Sequence, residues 1–129
     1  MLLVCSLGLA ASSFARGVRP TLIRGDEVRP EDWKPVVKIA IGQFGCTATV
    51  IGPRVILTAA HCAATGSVAT FSSNGKKYSA KMTQSSLWKT KDHDISMGVT
   101  SEDIQGVTPI SIGSNPVVGQ EILLLGYGC

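Results

Sequence analysis

Residues 46–62 read CTATVIGPRVILTAAHC, with a cysteine at each end and a histidine beside the second cysteine. Runs of apolar and β-branched residues stand on either side of Gly52-Pro53, a dipeptide typical of turns. The stretch therefore predicts two strands joined by a turn, an arrangement in which the two cysteines can approach to the roughly 4.4–6.8 Å between Cα atoms that a disulfide requires. Such a bridge would hold the backbone that carries His61.

Short apolar runs separated by turn residues continue on both sides of this stretch. Asn74-Gly75 stands between two of them and predicts a tight hairpin, because both residue types tolerate positive φ. No helical period runs for more than about two turns. The pattern predicts an all-β barrel or sandwich. The predicted strands cover residues 36–41, 47–51, 54–57, 67–72, 77–82, 95–99, 107–112 and 121–125.

The composition is that of one folded domain. Of the 129 residues, 44% are hydrophobic and 16% are charged, which excludes a disordered or fibrous chain. Twelve Lys and Arg against nine Asp and Glu give a net charge of +3, and the cations occur in small groups such as Lys76-Lys77. Without a basic stripe, no nucleic-acid partner is expected.

The amino terminus has the features of an export signal. Residues 2–11 (LLVCSLGLAA) are almost entirely apolar, and Ser13-Phe14-Ala15 supplies the small residues that a signal peptidase requires. The apolar run is shorter than the roughly 20 residues that cross a bilayer, so we expect no membrane association of the mature form. We expect a signal peptide over residues 1–15 and a secreted, periplasmic or extracellular protein. A buried strand or helix is the alternative.

The cysteine count points to a further bridge. Without residues 1–15 the chain keeps Cys46, Cys62 and Cys129. Disulfides persist in the oxidising compartments that exported proteins enter, and an odd count leaves one cysteine without a partner. We expect the partner of Cys129 in residues that follow this sequence, with a free thiol as the alternative.

Three segments resemble a known family. Residues 58–62 (TAAHC) resemble the motif around the general-base histidine of trypsin-like (chymotrypsin-family, S1) serine endopeptidases, and Cys46 matches the partner cysteine of that motif. Residues 23–28 with 33–37 resemble the mature start of these enzymes, although Arg24 interrupts the usual pattern. His93-Asp94-Ile95-Ser96 resembles the segment that carries the triad aspartate.

The resemblance implies a role for each matching residue. In this family a neutral imidazole removes the proton of a serine hydroxyl as it attacks a peptide carbonyl, and a carboxylate holds the imidazole in the required tautomer. His61 matches the base and Asp94 matches the carboxylate. Protein or peptide substrates are implied, with no cofactor and no metal ion; the sequence does not predict the oligomeric state.

Two neighbouring residues offer alternatives at this site. Asp92 is also acidic, but Asp94 is the one followed by the apolar run that resembles the strand after the family's aspartate. A metal site built from His61, His93 and the cysteines has a spacing that matches no common zinc pattern. We therefore expect Asp94 to serve His61.

The resemblance also implies how much of the fold the chain contains. Residues 22–115 match the first six-stranded barrel of the double β-barrel trypsin-like fold, and residues 116–129 match the start of the second barrel with its first strand. The second barrel supplies the nucleophilic serine and the oxyanion hole, and no GDSGG-like segment occurs in this sequence. We expect the chain to be an amino-terminal fragment that is inactive by itself.

Two other functions fit parts of the sequence. The first is a non-enzymatic secreted protease homologue that keeps the barrel as a binding module. The second is a protease of the heat-shock type with a similar double barrel, which the pair Cys46 and Cys62 disfavours.

Overall fold

A computed structural model of the chain describes residues 26–127. The expected signal peptide, residues 23–25 of the expected mature start and Cys129 lie outside these residues. The described part contains one short 3-10 helix and six strands. They are the helix Pro30–Trp33 and the strands β1 (Val36–Ile41), β2 (Phe44–Gly52), β3 (Val55–Thr58), β4 (Val68–Ser73), β5 (Lys76–Gln84) and β6 (Ser96–Thr100).

The six strands form a closed antiparallel barrel in the order β1-β2-β3-β6-β5-β4. Each strand begins and ends within three residues of the sequence prediction. The prediction of an all-β fold with a six-stranded barrel is thus confirmed. Within residues 26–127, no helix has the length and hydropathy that a membrane crossing requires.

The barrel interior is filled by alternate residues of the strands. Side chains of successive strand residues point to opposite faces, so one apolar residue in two enters the core. Ile39, Val50, Ile56 and Met82 are fully buried there. Burying one such side chain contributes about 1.5–3 kcal/mol. The alternation of apolar and polar residues along the strands therefore determines which face of the sheet lines the barrel interior.

The hairpin between β4 and β5 turns at Asn74 and Gly75, as predicted. Their φ angles are 49° and 74°, the left-handed values that a two-residue hairpin loop needs. Ser73 pairs with Lys76 across the turn. The local sequence determines both the place and the register of this hairpin.

Two predicted strands, residues 107–112 and 121–125, are not strands in the structure. Each barrel strand already has a neighbour on both sides, and a strand forms only against a partner edge. Residues 121–124 consequently stay exposed, although Ile122-Leu123-Leu124 is a strongly apolar run. The chain returns to the barrel at Tyr127, whose backbone N–H donates to Thr47 Oγ1 at 2.9 Å.

Candidate active site

His61 lies in a tight turn that follows β3. Two backbone hydrogen bonds define this turn, from Cys62 N–H to Ala59 O at 3.2 Å and from Ala63 N–H to Ala60 O at 3.3 Å. Ala60 and Ala63 are buried, and small residues allow the turn to pack closely against the barrel. The backbone that carries the imidazole is therefore fixed by buried residues before and after His61.

The predicted disulfide joins this turn to β2. Cys46 and Cys62 are bonded, with their Cα atoms 6.3 Å apart. The bridge ties the residue after His61 to β2, a strand of the closed barrel, which restricts the movement of the turn. The prediction of a Cys46–Cys62 disulfide is confirmed.

Asp94 lies at the end of the loop that leads into β6. The loop closes with short-range backbone bonds, from Asp94 N–H to Asp92 O at 2.9 Å and from Ile95 N–H to His93 O at 2.7 Å. The first residue of β6, Ser96, follows two positions later. Because β6 pairs with β3, the loop ends beside the turn that carries His61.

Both oxygens of the Asp94 carboxylate contact His61. The backbone N–H of His61 donates to Oδ1 at 2.9 Å, and the ring nitrogen Nδ1 lies 2.6 Å from Oδ2. This two-point contact fixes the imidazole plane relative to the backbone of the same residue. A carboxylate on Nδ1 places the ring proton on that nitrogen and leaves Nε2 free to accept a proton.

The surroundings of Asp94 favour its charged form. Partial burial of the carboxyl group acts to raise its pKa. This effect is outweighed by hydrogen bonds from the backbone and ring of His61, by attraction to that ring and by a backbone hydrogen bond from Ala60. The pKa of Asp94 is consequently lower than its ordinary value. The group is therefore an anion at neutral pH.

The neighbouring candidates do not reach His61. The side chains of Asp92 and His93 are exposed, and neither makes a hydrogen bond to His61 within the described residues. Asp92 has a φ of 54°, a left-handed conformation typical of a turn, and it lies in the loop before Asp94. The structure thus brings together the two residues that the sequence analysis paired, His61 and Asp94.

Two polar residues that the sequence analysis did not assign support the site. Ser96 is fully buried, and its hydroxyl lies 3.1 Å from both Ala63 O and Thr83 O. The Gln84 side chain donates from Nε2 to Ala60 O at 2.6 Å. Both bonds hold the turn around His61. A signal for Ser96 was present in the sequence, because a polar residue at an inward position of a strand needs a buried partner.

The two cysteines among the described residues are not available as metal ligands. Cys46 and Cys62 are engaged in the disulfide. Among residues 26–127, no group of three or more His, Cys, Asp and Glu side chains is arranged to hold a metal ion. The chemistry that this arrangement can support is proton transfer at His61 Nε2.

Comparisons with known proteins identify the family and the fold. The family model described as Trypsin matches residues 22–129. A solved structure of neuropsin, a serine protease expressed in the limbic system of mouse brain, is similar with a TM-score of 0.56 and 18% identity, over 71% of this chain and 48% of that one. Human heparin-binding protein is similar with a TM-score of 0.52 and 13% identity, over 79% of this chain and 52% of that one. No curated protein sequence matches the chain significantly.

The closed six-stranded barrel is the first barrel of a trypsin-like fold. Since the family match extends over most of the sequence, the chain belongs to the trypsin family. The chain spans about half the length of the solved structures to which it is similar.

Proposed function

We propose that this chain provides the histidine and aspartate of a secreted serine-type endopeptidase. His61 is the general base and Asp94 is the carboxylate that orients it. The two-point contact between them, at 2.9 and 2.6 Å, is the observation that carries the proposal. A binding module places no demand on such a contact, whereas proton transfer from a serine depends on it.

The proposed mechanism assigns a task to each side of the imidazole. Nδ1–H donates to Asp94 Oδ2, so Nε2 accepts the proton of a serine hydroxyl as the hydroxyl attacks a peptide carbonyl. The positive ring that results is stabilised by the adjacent carboxylate. The imidazolium then returns its proton to the leaving amine.

The nucleophilic serine and the oxyanion hole belong, in this proposal, to a second barrel that begins at residues 116–129. Residues 22–115 form the first barrel, and residues 1–15 are a signal peptide that directs the protein to an oxidising compartment. The Cys46–Cys62 disulfide supports that location. We expect no turnover from the 129-residue chain, since the nucleophile and the oxyanion donors each contribute orders of magnitude in rate.

The test compares the 129-residue chain with the translation product of its transcript read past residue 129. Both are incubated with a mixture of peptides, and cleavage is followed by mass spectrometry. We expect hydrolysis only by the longer product, abolished by His61→Ala. His93→Ala is the matched control, because His93 is an exposed histidine that does not contact Asp94 through its ring.

Each other outcome contradicts a stated part of the proposal. Turnover by the 129-residue chain that His61→Ala abolishes would contradict its inactivity. A longer product without His61-dependent hydrolysis would contradict the protease. A reading frame that stops after Cys129 would favour the binding module instead.

A further inference from the structure

The segment that follows the barrel is bound to β2 at both of its ends. Ile110 N–H donates to Val50 O at 3.0 Å, and Tyr127 N–H donates to Thr47 Oγ1 at 2.9 Å. Between these two points, residues 111–124 are exposed and form no strand. The position of Tyr127 therefore depends on its own contacts with the barrel, because the segment before it is not packed against anything that would hold it.

Tyr127 contacts two strands of the barrel at once. Its backbone N–H donates to Thr47 on β2, and its hydroxyl donates to the carbonyl oxygen of Val36 on β1 at 3.3 Å. The two bonds start from opposite ends of the residue, so they restrict both the place of its backbone and the direction of its side chain. We call the pair Thr47 and Tyr127 the anchor.

Thr47 is also connected to both sides of the turn that carries His61. Its carbonyl oxygen accepts the hydroxyl hydrogen of Thr58 at 2.8 Å, and Thr58 is the last residue of β3, before the turn. Its neighbour Cys46 is joined by the disulfide to Cys62, which directly follows His61. The residue that receives the backbone of Tyr127 is thus tied to the turn before and after the imidazole.

Proton transfer between two barrels requires that the barrels have a fixed relative position. A general base acts only within hydrogen-bond distance of the proton that it removes, about 2.6–3.2 Å between heavy atoms. A misplacement of about 1 Å can reduce the rate roughly a hundredfold. Under the proposed function His61 comes from the first barrel and the serine from the second, so a contact at the junction of the barrels contributes to this distance.

We propose that Thr47 and Tyr127 are positioning residues, which hold the start of the second barrel against the turn that carries His61. The proposal rests on the proposed function, because it takes the serine to lie in the second barrel. In this role neither residue contacts the substrate. Thr47 acts through the backbone and the disulfide that hold the turn, and Tyr127 acts through the chain that follows it.

The first test measures the anchor in the 129-residue chain. Exchange of the Tyr127 amide hydrogen with solvent deuterium is followed by NMR. Thr47→Val replaces the accepting oxygen by a methyl group, and we expect exchange to become roughly fivefold faster, whereas Thr47→Ser keeps the oxygen and should preserve the wild-type rate. Thr49→Val is the matched control, because Thr49 lies two positions further along β2 on the same face and does not bind Tyr127.

The second test measures the reaction in the translation product read past residue 129. Active sites are counted by titration with a covalent serine inhibitor, so that unfolded molecules do not enter kcat. Thr47→Val should lower kcat roughly fivefold with KM unchanged, and Thr47→Ser and Thr49→Val should keep the wild-type value. Tyr127→Phe removes the hydroxyl contact alone and should also lower kcat. The pH dependence of kcat should not change, because the contact between His61 and Asp94 is intact.

The two tests separate the anchor from the reaction. Equal exchange of the Tyr127 amide in the wild type and in Thr47→Val would overturn the anchor, whether or not the longer product is active. Exchange that depends on Thr47, combined with an unchanged kcat, would overturn the positioning role. An inactive longer product in which the exchange still depends on Thr47 would confirm the anchor but contradict the endopeptidase, and the positioning role with it.

Discussion

The hydroxyl of Ser96 lies 3.1 Å from the carbonyl oxygen of Ala63. Ser96 follows Asp94 by two residues and Ala63 follows His61 by two residues, so this contact lies next to the contact between Asp94 and His61. The two contacts join the turn after β3 to the start of β6 at successive points. The carboxylate is consequently placed against the imidazole by a buried hydrogen bond as well as by its own contacts with His61.

Removing the Ser96 hydroxyl should destabilise the barrel. Ser96→Ala removes the one hydroxyl hydrogen that lies between the carbonyl oxygens of Thr83 and of Ala63, a fully buried residue, and we expect a loss of about 1–2 kcal/mol in the free energy of unfolding. Urea denaturation followed by circular dichroism measures the change. Ser79→Ala, at an exposed position on β5, should stay within about 0.5 kcal/mol of the wild type. Equal effects of the two substitutions would refute a supporting role for Ser96.

Reducing the disulfide should lower the stability of the whole barrel. The bridge closes a loop with a sequence separation of 16, and a loop of this size contributes about 3 kcal/mol in the chain-entropy model. Urea denaturation with and without a phosphine reductant measures the difference. The double variant Cys46→Ala, Cys62→Ala should be insensitive to the reductant, and any remaining sensitivity would have to come from another bridge.

The contribution of Asp94 to stability should depend on pH. Its pKa is lower in the folded chain than the ordinary value of 3.8, so the unfolded chain binds more protons between the two values. The contribution is complete above 3.8 and is lost as the pH falls through the lower, folded value. Urea midpoints of the wild type and Asp94→Asn, measured from neutral to acidic pH, should therefore converge at low pH.

Asp92→Asn is the control for that experiment, because it removes an exposed carboxylate that makes no contact with His61. It should leave the wild-type pH dependence unchanged. A stability difference between wild type and Asp94→Asn that widened on acidification would show that the sign of the pKa shift is wrong.

A methyl group at Gly98 should not fit the barrel core. A Cβ atom at this position of β6 would lie 2.5 Å from Met82 Sδ, 2.8 Å from Ile56 Cγ1 and 3.0 Å from Ala80 Cβ. Overpacking of this kind typically costs 1–3 kcal/mol, and we expect about that loss for Gly98→Ala. Gly113→Ala is the matched control, because a Cβ there meets no atom within 4 Å. A Gly98→Ala variant as stable as Gly113→Ala would contradict the observed packing.

The turn that carries His61 was readable from sequence because its determinants are local, whereas the pairing of His61 with Asp94, 33 residues away, followed from the family resemblance. Residues 58–62 combine a strand end, a turn of small residues and a cysteine, so the motif specifies both the backbone and the position of the imidazole. The Asn74-Gly75 hairpin follows from the φ angles that these two residue types tolerate. Ser96 and Gln84 were not assigned, because their hydrogen bonds reach carbonyl groups that are distant along the chain.

The sequence by itself carries the alternation of inward and outward residues and the turn residues between the runs. These features determined the six strands, the Asn74-Gly75 hairpin and the approach of the two cysteines. Tertiary structure alone decided that residues 107–112 and 121–125 lie outside the sheet and that β1 and β4 meet to close the barrel. The physical reason is that a local pattern sets the conformation that a segment favours, whereas a strand also needs a free edge beside it. The closure of the barrel determines which edges are available.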